Sequence, residues 1–221
     1  MLEPNTRYLQ LAFNDDLSVV RRLLPTIAFS PRILIEAGTP FIKREGISGI
    51  RSIRSLWKGP IVADLKTADG GLGEVEMVAA AGATAATVIG SAPVETLDFF
   101  IGRCTELGLD SMIDMLGVAD PLDVLRHLKA PPAVVVLHRG RDEENTRGKV
   151  IQYRHVKRIK SKYDVSISAA GGVDLKEARS AIFNGANIVV VNIVPPGSPW
   201  QGIRSTDNVA AVALEFLRTI E

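Results

Sequence analysis

Short apolar segments alternate with amphipathic segments along the chain. The apolar segments are rich in valine, isoleucine and alanine, and they begin near residues 8, 32, 60, 83, 110, 133, 165 and 186. Between them lie stretches such as DLSVVRRLL and DLKEARSAIFNG, in which apolar residues recur at the spacing of one helical face. The pattern therefore predicts eight units, each a strand followed by a helix.

The eight units predict a barrel. Strands that are apolar almost throughout are typical of a parallel sheet buried on both faces. With no Ser/Gly-rich linker between the units, they favour one α/β domain over residues 1–221, a closed (β/α)8 TIM barrel. A doubly wound open sheet is the alternative. Such sheets usually have fewer strands, and the chain lacks the early G-x-G-x-x-G turn that favours one.

Composition narrows the function classes. The chain has 221 residues, of which 46% are hydrophobic and 23% charged, and its mean hydropathy is +0.16. No apolar run reaches the roughly 18 residues that a membrane span requires, so we attribute the excess hydropathy to a large buried sheet and expect no membrane partner. The first residues, MLEPNTRYLQ, lack the basic and apolar regions of a secretory signal.

Charge and cysteine usage favour a cytoplasmic protein that acts on small molecules. The net charge is +1 and aromatic residues make up 5%, which argues against nucleic-acid binding. Cys104 is the only cysteine, which excludes an internal disulfide and fits a reducing cytosol. We expect Cys104 to be structural.

Polar residues collect where the predicted strands end, and in a TIM barrel the chemistry lies at the carboxyl ends of the strands. Strand four offers little beyond Gly90 and Ser91. The candidates in strand order are Asn14, Glu36, Asp64, Lys66, Asp69, Asp114, His138, Arg141, Gly171, Gly172 and Asn192.

The acidic candidates indicate a cation site. Carboxylates that converge at a barrel mouth repel one another unless a cation or a lysine lies between them. Lys66 follows Asp64 by two residues, so an extended segment places both side chains on one face. Oxygen ligands of this kind suit Mg²⁺. The alternative is that the acids cap helices or form structural ion pairs.

His138 and Arg141 follow an apolar strand, and a proton-transfer role is the favoured interpretation over a core hydrogen bond. His127 and His155 lie in amphipathic stretches, and we expect both at the surface. Gly171 and Gly172 suit backbone amides that meet a phosphate at a helix N-terminus, although any tight turn after a strand can use such a pair.

Five segments, EAGTPFIKREG, ADLKTADGG, MIDMLGV, HRGRDEE and AAGGV, occur in an order and spacing that resemble the orotidine 5'-phosphate decarboxylase superfamily. The resemblance covers nearly the whole chain. It is strongest to the branch of 3-hexulose-6-phosphate synthase and 3-keto-L-gulonate-6-phosphate decarboxylase. Glu36 is selective, because the pyrimidine nucleotide decarboxylases carry a lysine there. DLKTADGG and IDMLGV favour the synthase.

The resemblance implies a Mg²⁺-dependent aldehyde-lyase of the ribulose monophosphate pathway, which joins formaldehyde to ribulose 5-phosphate or runs in reverse through an enediolate. Two alternatives stay open. One is a decarboxylase acting on 3-keto-L-gulonate 6-phosphate or orotidine 5'-phosphate, and the other is a barrel that is non-catalytic or takes another substrate.

The resemblance also implies a role for each candidate in a homodimer with shared active sites. Glu36 and Asp64 would bind Mg²⁺, and Lys66 would stabilise the enediolate oxyanion. Asp69 would reach the partner's site, and Asp114 would contact substrate hydroxyls or a metal-bound water. The remaining roles are proton transfer and orientation of the small carbonyl partner by His138 and Arg141, and phosphate binding by the amides of Gly171 and Gly172.

The chain departs from the family at two strand ends. Asn14 stands where the family has an aspartate that contacts substrate, which alters the charge there. Asn192 and Ile193 replace a Gly-Arg or Gly-Gly pair that completes the phosphate site, and the prolines that follow lack N–H donors. Two explanations of this second departure stay open. One is sequence drift at this loop in a functional synthase, and the other is a changed substrate.

Overall fold

A computed structural model describes the chain from Met1 to Glu221. Its strands are β1 Tyr8–Phe13, β2 Ile33–Ala37, β3 Ile61–Thr67, β4 Ala85–Ile89, β5 Asp110–Asp114, β6 Val134–His138, β7 Ser166–Ala170, β8 Ile188–Val194 and β9 Ile203–Arg204. Its helices are α1 Leu17–Leu23, α2 Thr39–Leu56, α3 Gly71–Ala80, α4 Val94–Leu107, α5 Pro121–Leu125, α6 Arg154–Lys160, α7 Leu175–Phe183 and α8 Val209–Thr219.

Strands β1 to β8 form the predicted closed barrel. Each strand pairs in parallel with the next, and β1 also pairs with β8, where Gln10 lies opposite Val190. This last pairing removes both sheet edges, so the doubly wound alternative is wrong. The eight predicted strand starts agree with the structure to within about two residues.

Side-chain alternation divides the buried residues into two layers, because neighbouring residues of a strand point to opposite faces. One set packs between the sheet and the helices and forms the main core of 52 residues, including Leu9, Ile35 and Val135. The other set fills the barrel interior with 11 residues, including Leu34, Val62 and Val134. The interior set ends below the polar side chains at the carboxyl ends of the strands.

The local sequence sets the ends of the helices. Asp16, Asp174 and Asn208 cap α1, α7 and α8 by accepting backbone N–H groups. Glycines with positive φ follow α3, α4 and α7. Gly46 interrupts α2 with a non-helical conformation.

Two features differ from the sequence predictions. The short strand β9 lies in the loop after β8 and pairs with it, which the hydrophobic pattern does not reveal because β9 has two residues. His155 is 2% exposed, so its predicted surface position is wrong. His155 belongs to α6 and its side chain is buried, with Nδ1 3.5 Å from Asp120 Oδ1. His127 is exposed as predicted.

Cys104 is buried in α4, and burial raises the pKa of its thiol to about 12. This state agrees with the expected structural role, because the reactive thiolate is disfavoured. No helix in the structure combines the length and the apolar character needed to cross a bilayer.

Candidate active site

A cavity of about 380 Å³ opens at the carboxyl ends of the strands. Most of the candidate residues line it, as expected for side chains delivered by successive strands to one end of a barrel. Asp69 and Gly172 lie outside this lining. The candidates on the cavity wall are Asn14, Glu36, Asp64, Lys66, Asp114, His138, Arg141, Gly171 and Asn192.

Lys66 reaches Asp64 through a distortion of β3. The pairing of β3 with β4 shifts between Ala63 and Thr67, and Lys66 has a φ of 49°. A left-handed conformation is costly for a lysine, and such strain is concentrated at functional sites. The prediction that the two side chains lie together is confirmed, with 2.6 Å between Lys66 Nζ and Asp64 Oδ2. The predicted reason, an extended segment, is wrong.

Two threonines hold the Asp64 carboxylate. Thr39, the first residue of α2, donates its hydroxyl to Oδ2 at 2.8 Å, and Thr87 of β4 donates to Oδ1 at 2.8 Å. Thr87 also accepts the Lys66 N–H at 2.9 Å, so the same hydroxyl supports the distorted backbone. Both carboxylate oxygens are fixed before any ligand binds.

Asp114 lies between the two cationic groups of the cavity. Its Oδ2 is 3.1 Å from Lys66 Nζ and 2.9 Å from His138 Nδ1. Burial by itself raises the pKa of Asp114, but His138 and Lys66 outweigh it and hold the pKa at about 2. The main contacts of this carboxylate are therefore with Lys66 and His138, and the predicted contact with substrate stays a prediction.

The same contacts set the protonation of the cations. Burial lowers the pKa of both His138 and Lys66, yet the neighbouring Asp114 reverses this for His138, and Asp64 with Asp114 reverses it for Lys66. Both pKa values are raised. Because His138 Nδ1 faces the carboxylate, Nε2 is the nitrogen left for proton exchange.

Glu36 is buried at the end of β2 beside Gln10 of β1. Gln10 Nε2 donates to Glu36 Oε2 at 2.5 Å, whereas Gln10 Oε1 is buried with no donor. Burial and the charge of Asp64 raise the pKa of Glu36 to about 7. An unpaired amide oxygen beside two carboxylates makes this corner of the cavity suited to a cation.

The turn after β7 is built around two glycines. A side chain at Gly171 would meet the Arg139 carbonyl oxygen at 1.9 Å, and φ there is 101°. Arg139 Nη2 donates to the carbonyl oxygens of Gly171 and Gly172 at 2.9 and 3.3 Å. The N–H groups of both glycines have no acceptor in the protein. The carbonyl groups of both glycines thus bind Arg139, while their N–H groups remain free to bind a ligand.

The two asparagines at the predicted departures from the family lie together. Asn14 Nδ2 donates to Asn192 Oδ1 at 3.0 Å on the cavity wall, and the departure itself stays a prediction. Asp69 is exposed just before α3, where its side chain accepts the N–H of Gly70. It does not reach the cavity of its own chain.

Sequence reasoning missed Gln10, Thr39, Thr87 and Glu144, all of which line the cavity. Gln10 and Thr87 could have been found, because each is a polar residue at an inward position of an otherwise apolar strand. Thr39 and Glu144 carry no such signal, since the path of a loop places them.

Comparisons with known proteins identify the family of the chain. A family model described as "Orotidine 5'-phosphate decarboxylase / HUMPS family" matches residues 21–192. A "Bifunctional enzyme Fae/Hps" from Methanothrix thermoacetophila is 40% identical over 83% of the chain and 47% of the relative. A second protein of that name, from Methanosarcina barkeri, is 38% identical over 96% of the chain and 52% of the relative.

A solved structure of 3-hexulose-6-phosphate synthase from Salmonella typhimurium superposes with a TM-score of 0.83 and 26% identity, covering 96% of this chain and 98% of that one. The chain spans about half the length of the curated relatives it matches. The family match includes the strand ends that carry Glu36, Asp64, Lys66, Asp114 and His138. By sequence and fold, the chain belongs to the orotidine 5'-phosphate decarboxylase / HUMPS family.

Proposed function

We propose that this chain is an aldehyde-lyase of the 3-hexulose-6-phosphate synthase type, which joins formaldehyde to ribulose 5-phosphate or catalyses the reverse cleavage. The observation that carries the proposal is the line of contacts from Asp64 through Lys66 and Asp114 to His138. It places a fixed positive charge and a proton-transfer group in one cavity. The similarity to solved 3-hexulose-6-phosphate synthases supports this choice.

Lys66 meets the electrostatic demand of the reaction. Removing a proton beside the carbonyl group of ribulose 5-phosphate leaves an enediolate, whose negative charge requires a preorganised cation in a site with little water. The raised pKa of Lys66 keeps its ammonium group charged at any working pH. Because Asp64 and Asp114 hold the ammonium group, it needs no reorganisation as the charge develops.

His138 meets the demand for proton transfer. In the synthesis direction the neutral imidazole takes the proton from the carbon beside the carbonyl group. Asp114 favours the imidazolium form that results, which gives this proton to the alkoxide oxygen formed when the new carbon–carbon bond closes. In the cleavage direction the neutral imidazole takes the proton back. Asp114 fixes the ring through Nδ1, so the transfer involves Nε2.

Mg²⁺ is part of the proposal, with Glu36 and Asp64 as its protein carboxylates. The chain has no group of three or more His, Cys, Asp or Glu side chains arranged for a metal ion. Gln10 Oε1 is a third oxygen at the same corner, and Mg²⁺ commonly takes one or two carboxylates with water and substrate oxygens. When bound, such an ion compensates negative charge on the substrate oxygens.

The phosphate of the substrate is assigned to the turn after β7. The N–H groups of Gly171 and Gly172 have no partner within the protein, and α7 begins three residues after Gly172. Unpaired amides at a helix N-terminus attract anions. Only Gly171 lines the cavity, so its amide is the nearer donor.

A homodimer with shared sites is the proposed assembly. The neighbouring helices α3 and α4 are joined by the Arg103–Glu76 ion pair at 2.6 Å, and they expose Leu72, Met77 and Phe99. Exposed apolar side chains on two neighbouring helices are typical of an interface. Asp69 is exposed and lies two residues before α3 begins, which supports its assignment to the partner's site.

The proposed function is tested by measuring formaldehyde release from 3-hexulose 6-phosphate, and its uptake with ribulose 5-phosphate, with Mg²⁺ and with a chelator. We expect activity in both directions that the chelator abolishes and Mg²⁺ restores. Lys66→Met is expected to lower kcat by at least about a hundredfold. Turnover of 3-keto-L-gulonate 6-phosphate or orotidine 5'-phosphate without synthase activity would identify a decarboxylase instead.

A further inference from the structure

The loop after β8 is built differently from the rest of the barrel mouth. It runs from Pro195 to Gly202 and lies beyond the residues matched by the family model, which end at 192. The strand β9 then pairs with β8 in parallel, and Arg204 Nη1 donates to the Ser198 carbonyl oxygen at 2.8 Å. Gly202 passes so close to Asn192 that a side chain would meet its carbonyl oxygen at 2.3 Å. The loop is thereby anchored at its end.

This loop contacts the segment after β6 at two points. The guanidinium carbon of Arg141 lies 4.8 Å from the ring centroid of Trp200. The N–H of Gln201 donates to Glu144 Oε2 at 3.2 Å. Arg141 and Glu144 both line the cavity, whereas Trp200 and Gln201 do not. The loop therefore acts on the cavity through these two side chains.

Arg141 is the cavity cation that forms no ion pair, although its charge acts on the nearby Glu144 and opposes the rise of that carboxyl group's pKa. Lys66 pairs with Asp64 and Asp114, and His138 pairs with Asp114. Arg141 makes no ion pair within 4.0 Å, and the neighbouring Glu143 is paired with Lys149 at 2.7 Å. An aromatic ring that covers the face of a guanidinium group leaves the N–H donors at its edge free.

A phosphate bound at the turn after β7 needs such a group. Gly171 lies on the cavity wall with Arg141, and its N–H has no partner. On the β8 side, Pro195 and Pro196 supply no N–H donors. Two backbone amides alone leave most of the charge of a phosphate dianion uncompensated, and a planar guanidinium group binds two of its oxygens at once.

We propose that Trp200 is a positioning residue that holds Arg141 as the side-chain ligand of the substrate's phosphate, in place of backbone donors after β8. This assignment replaces the role that the family resemblance implies for Arg141, which is proton transfer and orientation of the small carbonyl partner. The substrate's identity rests on the proposed function. The contact between Arg141 and Trp200 does not depend on it. In this assignment the loop after β8 determines how the enzyme recognises the phosphorylated end of a sugar.

The test is calorimetric titration of ribulose 5-phosphate, inorganic phosphate and unphosphorylated ribulose into the full chain and its variants. Trp200→Ala and Arg141→Ala are each expected to weaken ribulose 5-phosphate binding roughly tenfold, as an anion contact of this kind predicts. The double variant is expected to bind no more weakly than Arg141→Ala, because the two residues act as one unit. Trp200→Phe keeps a ring and is expected to recover most of the affinity.

Phe183→Ala is the matched control, since Phe183 is 91% exposed on α7 and is expected to leave every titration unchanged. Thermal unfolding of each variant shows whether it is folded. With synthase activity present, unchanged affinity in Trp200→Ala, or a lower kcat at constant KM, would overturn the assignment and leave the proposed function intact. Trp200-dependent phosphate binding without synthase activity would support the assignment and overturn the proposed function.

Discussion

At the scale of single residues, Asp114 controls the protonation of the cationic groups that it contacts in the cavity. It is buried, and its carboxylate contacts both Lys66 and His138. A neutral side chain of the same shape would remove the charge that raises the pKa of His138 and leave the desolvation that lowers it. The acid–base behaviour of the cavity is thus controlled by a residue that need not touch the substrate.

Asp114→Asn is expected to lower the pKa of His138 and to move the limb of the pH–rate profile that reports His138 to lower pH. NMR titration of the imidazole carbons measures the pKa directly, with His155 as an internal control on another face of the barrel. The stability effect has a defined sign. Because folding raises the pKa of His138, its contribution is present below the unfolded value near 6.5 and is lost as pH rises through the folded value.

Chemical denaturation at several pH values checks this sign. The stability difference between the native chain and Asp114→Asn is expected to grow as the pH falls through the raised folded pKa of His138 to 6.5. It is expected to be lost as the pH falls from the ordinary pKa of Asp114, 3.8, through its folded value of about 2. A pH-independent difference, together with an unchanged His138 titration, would show that Asp114 acts on His138 only through packing.

Gln10→Leu is expected to weaken Mg²⁺ binding about tenfold or more, in the range seen when a group that orients a metal ligand is removed. The leucine deletes both the hydrogen bond to Glu36 and the unpaired Oε1. Calorimetric titration with Mg²⁺ alone measures the effect. Ser168→Ala is the matched control, because Ser168 Oγ is also buried without a partner but does not line the cavity. Equal losses in both variants would contradict a role for Gln10 toward the ion.

At the scale of elements, the turns after the strands place the strictest requirements on backbone geometry. The strands and helices follow from the hydrophobic pattern, and their starts are predictable from sequence. The distortion at Lys66, the strand β9 and the path of the loop after β8 are not. They depend on contacts between segments far apart in the chain, such as Gln201 with Glu144.

Gly171→Ala and Gly73→Ala distinguish a glycine that a turn requires from a glycine that a helix only tolerates. At Gly171 the alanine methyl group would collide with the Arg139 carbonyl group in a left-handed conformation, and we expect a loss of at least about 2 kcal/mol of stability with loss of phosphate binding. At Gly73, in α3, a methyl group meets nothing within 4 Å, so a gain of about 0.5–1 kcal/mol is expected. Urea unfolding measures both, and a tolerated Gly171→Ala would contradict the tight approach to Arg139.

At the scale of the whole molecule, the proposed dimer connects Asp69 to catalysis. Phe99 is 58% exposed on α4, and Phe99→Glu is expected to convert the dimer into monomers in light scattering, because a charge replaces apolar contact. Phe183→Glu, on α7, is the control that leaves the mass unchanged. A monomeric native chain would contradict the proposed assembly.

Mixing two inactive variants tests whether sites are shared. Asp69→Ala and Lys66→Ala are each expected to lose activity, and subunit exchange between them is expected to restore about a quarter of it. Half of the dimers are then mixed, and each mixed dimer has one site that combines Lys66 of one subunit with Asp69 of the other. No recovery, despite exchange shown by mass measurement, would place Asp69 outside the catalytic unit.

Hydrophobic periodicity is a local property, so it is readable along the chain, and eight strand–helix units favour a closed barrel over an open sheet. In either arrangement the carboxyl ends of parallel strands lie at one edge, so strand ends such as Glu36, Asp64 and His138 are expected to lie together. Gln10 and Thr87 were accessible to the same reasoning. The tertiary structure decided which charges pair, because pairing depends on distances of a few ångströms across different strands. It also decided that Arg141 stays unpaired beside Trp200, since that contact is made by two loops whose paths no local pattern specifies.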